Sequence, residues 1–142
     1  MIRAFEQRDM NPILNIWLGA SLQAHAFIEA AYWQSHVDAM REVYIPASET
    51  YVFEDQSQVV GFYSLLERQL AALFVAPQFQ GKGFGKQLVA HAKTMRTELS
   101  LAVYKENTAS CQFYLAQGFV SVQEQVDEQT GHCEVLMVAT RP

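Results

Sequence analysis

The sequence predicts a single α/β (α+β) domain over residues 1–142, with a mixed, mostly antiparallel sheet flanked by helices. Three observations carry this. Three β-rich apolar runs crowd between Tyr51 and Val75, parted only by short polar turns, as in consecutive hairpins. Two later helical patterns each follow a buried strand, which calls for crossover connections and a mixed centre to the sheet. Half of the 142 residues are hydrophobic and 18% are charged, enough for one core and little room for a second.

Ile2 to Phe5 reads as a first short strand. Asn11-Pro12 is a helix-start signal: Asn caps, and Pro in the first turn gives up an N–H that has no partner there. Ile13, Ile16, Trp17 and Ala20 follow at helical spacing. His25-Ala26-Phe27-Ile28 breaks that pattern, and a second helix is expected from Glu29 to Tyr44, ended by Pro46. Tyr51 to Phe53, the turn Asp55 to Gln58, and Val59 to Leu66 make a hairpin, and Leu70 to Val75 a third strand closed by Pro77. After the loop Gln78 to Gly83 comes a helix to Met95, with Leu88, Val89 and Ala92 facing inward. Leu99 to Tyr104 is a buried strand, Asn107 to Gln117 a helix with Gly118 as its C-cap. Phe119 to Val126 and Cys133 to Ala139 close the chain as a hairpin. The order is β-α-α-β-β-β-α-β-α-β-β.

Several function classes fall away. A formal charge of −5 without a basic face argues against nucleic acid. Cys111 and Cys133 form no disulfide framework and sit at no metal-ligand spacing, so no metal is expected. The N-terminus lacks the apolar run of a signal peptide, and no segment approaches the roughly 18 apolar residues of a membrane span. The chain is therefore read as cytoplasmic, a monomer or homodimer without membrane partners.

The chemistry concentrates at Gln80-Gly81-Lys82-Gly83-Phe84-Gly85-Lys86, between a buried strand and a helix. Alternate glycines admit positive φ and let a ligand approach with no Cβ in the way. The free N–H groups and dipole at the helix start suit a phosphate or pyrophosphate, with Lys82 and Lys86 adding charge. By itself the cluster fits a flexible connecting turn equally well. A P-loop is excluded because Gln80 and Gln87 stand where Gly and Ser or Thr are needed, and the dinucleotide fingerprint because Lys86 replaces its third Gly.

Gln80-Gly81-Lys82-Gly83-Phe84-Gly85 resembles the coenzyme loop Gln/Arg-x-x-Gly-x-Gly/Ala of the GNAT superfamily of acyl-CoA-dependent N-acyltransferases. Leu73-Phe74-Val75-Ala76-Pro77 resembles the strand end before that loop. Val103-Tyr104-Lys105-Glu106-Asn107 with Phe113-Tyr114-Leu115-Ala116-Gln117-Gly118-Phe119 resembles the family's later motif Asn…Phe-Tyr-x-x-x-Gly-Phe. The element order fits the family over nearly the whole chain. The segment His25 to Ile28 is similar to small bacterial members that acetylate lysine.

The resemblance implies an enzyme that moves an acetyl group from acetyl-CoA, as cosubstrate, to a primary amine by direct attack, with a protein lysine or N-terminus favoured. It implies pantetheine held by backbone donors around Phe74 and Val75, either of which would supply the oxyanion N–H, and pyrophosphate held from Gln80 to Gly85. Asn107 and Tyr114 lie seven apart, two helical turns, and share one face. The resemblance makes Asn107 an amide on the pantetheine arm and Tyr114 the acid that protonates the leaving thiolate. Taken alone, without the loop, Tyr114 reads rather as a half-buried aromatic beside Phe113. A small-molecule amine acceptor and a non-catalytic acyl-CoA sensor stay open.

A base is less evident. A lysine ammonium must lose a proton before attack, at a cost of roughly 4–5 kcal/mol at pH 7. Relatives often place a Glu on the strand before the loop, but Gln69-Leu70-Ala71-Ala72-Leu73-Phe74 has no carboxylate. Glu67, just upstream, and His25, in the substrate loop, are the candidates, with an exposed hairpin carboxylate and a packing histidine as the plainer readings. His36, His91 and His132 read as surface residues.

Overall fold

A computed structural model describes residues 1–140. Seven strands form one sheet in the order β1-β2-β3-β4-β5-β7-β6, antiparallel except where β4 meets β5. The strands are β1 Ile2–Ala4, β2 Glu49–Asp55, β3 Gln58–Leu66, β4 Gln69–Val75, β5 Glu98–Tyr104, β6 Val120–Val126 and β7 Cys133–Thr140. Helix α1 (Met10–Ala24) precedes a segmented helical run that begins with α2 (Ala30–Ser35); α3 (Phe84–Met95) joins β4 to β5, and α4 (Thr108–Ala116) joins β5 to β6. The expected mixed sheet and element order are both present. No helix among the described residues is long and apolar enough to cross a membrane.

Local chemistry accounts for the connections. The β2–β3 hairpin turns on Gln56 and Ser57, both at positive φ (51° and 65°), the handedness that suits twisted antiparallel strands. Gly118 takes φ 93° after α4, as a helix-ending glycine does.

Two helix boundaries differ from expectation. Helix α1 starts at Met10 rather than at an Asn11 cap, because Glu6–Asp9 already make a 3₁₀ turn in which the Asp9 carboxylate accepts the Glu6 N–H at 2.8 Å. Pro12 still lies in the first turn. The run from Glu29 is not one helix ended by Pro46. It breaks at His36, widens into a π-turn over Met40–Tyr44, where the Ile45 N–H reaches Met40 O, and continues through Ile45–Ala47 with Pro46 inside. Burial of Met40 and Ile45 against the sheet holds this last turn in place.

The sheet separates two apolar layers. On one face Ile13, Leu14, Trp17, Trp33 and Ile45 pack on Val52 and Phe62. On the other, Leu88, Val89 and Ala92 of α3 pack on Val60, Tyr63, Leu99 and Met137. Alternation along β3 feeds both: Phe62 serves the first layer and Tyr63 the second, each with no exposed surface.

A partly buried ion pair ties β1 to the entry of α1. Arg3 donates to both oxygens of Asp9 (2.8 and 2.9 Å) and to Glu54 (3.0 Å). These bonds hold the Asp9 carboxyl below the ordinary aspartate range, so the pair stabilises the fold above that range and is lost as pH falls through the lowered value. Asp9→Ala should cost about 2–3 kcal/mol at pH 7 by stranding a half-desolvated guanidinium. Urea denaturation of both proteins should show that difference shrinking in acid.

Candidate active site

Strands β4 and β5 run side by side only at their start. Gln69 pairs with Ser100, whose N–H reaches Arg68 O at 2.9 Å, and beyond that point the strands part. The wedge opens into a cavity of about 1230 Å³ that reaches the glycine loop, α4 and the α1–α2 loop.

Register decides which backbone groups face the wedge. The Ala76 N–H bonds Val60 O at 2.9 Å, so every second residue back along β4, Phe74 included, points its N–H at β3. Val75 and Leu73 therefore present theirs to the cavity. Of the two amides expected to serve, Phe74's is spent within the sheet and Val75's is free. By the same parity Ala102 on β5 faces the cavity from the other side. Ladder groups left unpaired in this way would be costly in a closed core; here they are binding edges.

The loop completes one end. Gly83 caps α3 at φ 85° with no side-chain cap, leaving the N–H groups of Phe84, Gly85 and Lys86 directed outward. A Cβ on Gly81 or Gly83 would meet nothing within 4 Å, so the space above the loop is open to a ligand. Gln80 Nε2 donates to Val75 O at 3.1 Å, pinning the loop to the strand end. Lys86 lines the cavity, whereas the Lys82 ammonium lies 5.6 Å over the Phe79 ring. This donor set fits a pyrophosphate.

Tyr114 lines the cavity, half-buried and edge-on to Phe113 and Phe119. Its hydroxyl bonds no other described residue and is not among the enclosed unpaired atoms, which are Ser21 Oγ, His25 Nδ1 and Trp33 Nε1. It is therefore open to the cleft. Burial raises its pKa, so the phenol stays protonated at neutral pH, as an acid must before use.

Asn107 is committed inside the protein. Its Oδ1 accepts the Ser110 N–H (3.2 Å) as the cap of α4, and its Nδ2 then faces His25 Nε2 at 3.3 Å. The amide orientation set by the cap makes Nε2 the acceptor and leaves the ring's proton on Nδ1. His25 is 8% exposed and stacked on Trp33, and burial lowers its pKa to about 4. A histidine with its one lone pair engaged makes a poor base. Glu67 is displaced too: it occupies the β3–β4 turn at φ 55°, exposed and outside the cavity lining.

Other groups escaped the sequence. Glu106 and Glu134 line the cavity, and the Tyr104 hydroxyl donates to Asp127 at 2.6 Å. His91 is half-buried, its Nδ1 2.5 Å from the hydroxyl of the buried Tyr63. His132 is 29% exposed, bonded to Glu106, and packed 5.0 Å from the Phe27 ring. Only pairing of β5 with β7 brings Glu106 and His132 together, and no local spacing signals it. Among the described residues no three His, Cys, Asp or Glu side chains converge as metal ligands.

Known proteins are similar to this chain in sequence and fold. Residues 46–121 match the family model described as the acetyltransferase (GNAT) domain. The peptidyl-lysine N-acetyltransferase YiaC of Escherichia coli (strain K12) is 37% identical over 120 residues, 84% of this chain and 82% of that protein. The peptidyl-lysine N-acetyltransferase YjaB of Salmonella typhimurium is 31% identical over 129 residues, 89% of this chain and 88% of the relative. The solution structure of apo YjaB from Escherichia coli superimposes with a TM-score of 0.87 at 27% identity, covering 100% of this chain and 98% of the other. PaiA N-acetyltransferase from Thermoplasma acidophilum, solved in complex with coenzyme A, shares the fold with a TM-score of 0.81 at 17% identity, over 99% and 98% of the two chains.

The depressed His25 pKa has a consequence for stability. The unfolded chain takes up this proton near 6.5 and the folded one only near 4, so stability is full above the first value and is lost as pH falls toward the second. The loss should reach about 3 kcal/mol. Unfolding free energies measured across that window should show it in the wild type, and His25→Leu should flatten that part of the slope.

Proposed function

The chain belongs to the GNAT acetyltransferase family, and we propose that it transfers the acetyl group of acetyl-CoA to the ε-amine of a protein lysine by direct attack on the thioester. The observation that carries this is the wedge between β4 and β5: it is lined by free backbone donors, ends at an anion-binding helix start, and holds an unpaired phenol. The lysine acceptor rests on YiaC and YjaB, the peptidyl-lysine acetyltransferases that this chain resembles along most of its length.

The roles follow from position. The amides of Phe84, Gly85 and Lys86, with the Lys86 ammonium, hold pyrophosphate. The Val75 N–H, with Leu73 and Ala102 near it, aligns the pantetheine arm as an added strand would be aligned. As the amine nitrogen attacks the thioester carbonyl, negative charge gathers on its oxygen, and the Val75 N–H, pre-aimed into the cleft, stabilises it. Collapse breaks the C–S bond, and Tyr114 gives its proton to the departing sulfur. Asn107 acts by holding the start of α4, and through it the placement of Tyr114. A binding-only sensor has no use for that open hydroxyl.

Gly83→Val should weaken acetyl-CoA binding at least tenfold, about 1.4 kcal/mol, because a β-branched residue resists φ 85° and crowds the anion site. Calorimetry on the folded variant measures this, and unchanged affinity would remove the loop from the site.

Tyr114→Phe should leave acetyl-CoA affinity and melting temperature near wild type while turnover drops about 10²-fold or more. Thiol release from acetyl-CoA, followed with a panel of peptides, proteins and small amines, tests both step and acceptor. An unimpaired kcat would make the phenol a packing group, and preference for small amines over lysine peptides would overturn the acceptor assignment.

A further inference from the structure

Resting on the acetyl-transfer reading, we infer that His132, oriented by Glu106, is the base that takes the proton released by the acceptor ammonium. The need is set by chemistry: the ammonium must shed a proton before its nitrogen can attack. Other candidates are engaged elsewhere. Glu67 is exposed on the β3–β4 turn and its carboxylate bonds no residue of the cavity lining, and the acceptor nitrogen of His25 is filled by Asn107. Burial and the bond to Asp127 both raise the pKa of Tyr104, which keeps it a phenol rather than a phenolate.

His132 has the geometry of an oriented base. Its Nδ1 lies 2.9 Å from Glu106 Oε1, which places the ring proton on Nδ1 and leaves the Nε2 lone pair free. No described residue bonds Nε2, and the side chain, 29% exposed, lies just outside the cavity lining, against its members Glu106 and Tyr104. The ring stands 5.0 Å from Phe27 and 6.5 Å from Tyr104, centroid to centroid, and Tyr104 and Glu106 both line the cavity. The charged or titratable groups that face it are Glu106, Tyr104 and Asp127, the last bonded backbone to backbone with His132; Phe27, from the α1–α2 loop, brings none.

The proton balance closes. An ammonium N–H bond breaks, its proton passes through water in the cleft to Nε2, and an imidazolium forms beside the Glu106 carboxylate. The freed amine attacks, and Tyr114 protonates the leaving sulfur. As the amide forms, the adduct's nitrogen sheds its remaining surplus proton through water to the Tyr114 phenolate, and the imidazolium returns its own proton to solvent.

The test is the pH dependence of kcat/KM with a lysine peptide and acetyl-CoA, for wild type, His132→Gln, Glu106→Gln and Glu134→Gln. His132→Gln should lower kcat/KM at neutral pH about 10²-fold, abolish the acidic limb that the wild type shows, and recover activity when imidazole is added. Glu106→Gln should shift that limb with a smaller loss, and Glu134→Gln should keep it. A His132→Gln enzyme with the wild-type rate and profile overturns the inference. So does one that is slow, keeps the limb and gains nothing from imidazole, which is the mark of a packing role, and so does loss of the limb in Glu134→Gln alone. Should the wild type acetylate no amine at all, the acetyl-transfer reading itself fails, a result distinct from all of these.

Discussion

The divergence of β4 from β5 after the Gln69–Ser100 pair is the constraint on which the rest depends. A sheet interior ordinarily leaves no ladder group unpaired, because each buried orphan costs on the order of 1–3 kcal/mol. Here Leu73, Val75 and Ala102 keep theirs open along a cleft. The apolar layers on both faces meet that cost: Phe62 and Tyr63, one residue apart on β3, anchor opposite cores and hold β4 from behind. With β4 fixed to β3 and β5 fixed to β7, neither strand can close on the other.

Around that wedge the chain builds two ends with different chemistry. The glycine loop and the start of α3 are rich in N–H donors and carry Lys86, suited to an anion. The opposite end is aromatic and carboxylate-bearing, with Trp33, His25 and Tyr104 beside Glu106 and Glu134, suited to an alkylammonium. The Asn107–His25 contact, which spans 82 residues of sequence, ties the cap of α4 to the α1–α2 loop. Lys93 adds a second brace, donating to Gln117 O at the far end of α4 and lying over Phe119.

Much of this was legible in the residues. The strands were readable because their apolar runs are bounded by turn residues, and the loop because Gly81, Gly83 and Gly85 stand between a strand and a helix. Tyr114 came from the resemblance of its motif, and its spacing to Asn107 set the two on one helical face. Other features depend on pairing that local spacing does not encode. Whether Phe74 or Val75 faces the ligand is a question of parity, answered by the Ala76–Val60 bond. Asn107 looked like a ligand contact, and its amide proved to be divided between a helix cap and His25. Pro46 looked like a helix end, yet the π-turn before it admits the ring. Glu106 and His132 stand 26 residues apart and meet only because β5 lies against β7.

The open wedge also couples folding to the supply of whatever fills it. A ligand that pairs with these strand edges binds the folded chain and not the unfolded one, so its free concentration enters the folding equilibrium directly. At a hundredfold excess over its dissociation constant it adds about 2.7 kcal/mol, a large share of a small domain's margin. Resistance to unfolding, and to cleavage that requires unfolding, would then rise with the concentration of the ligand that the gap admits.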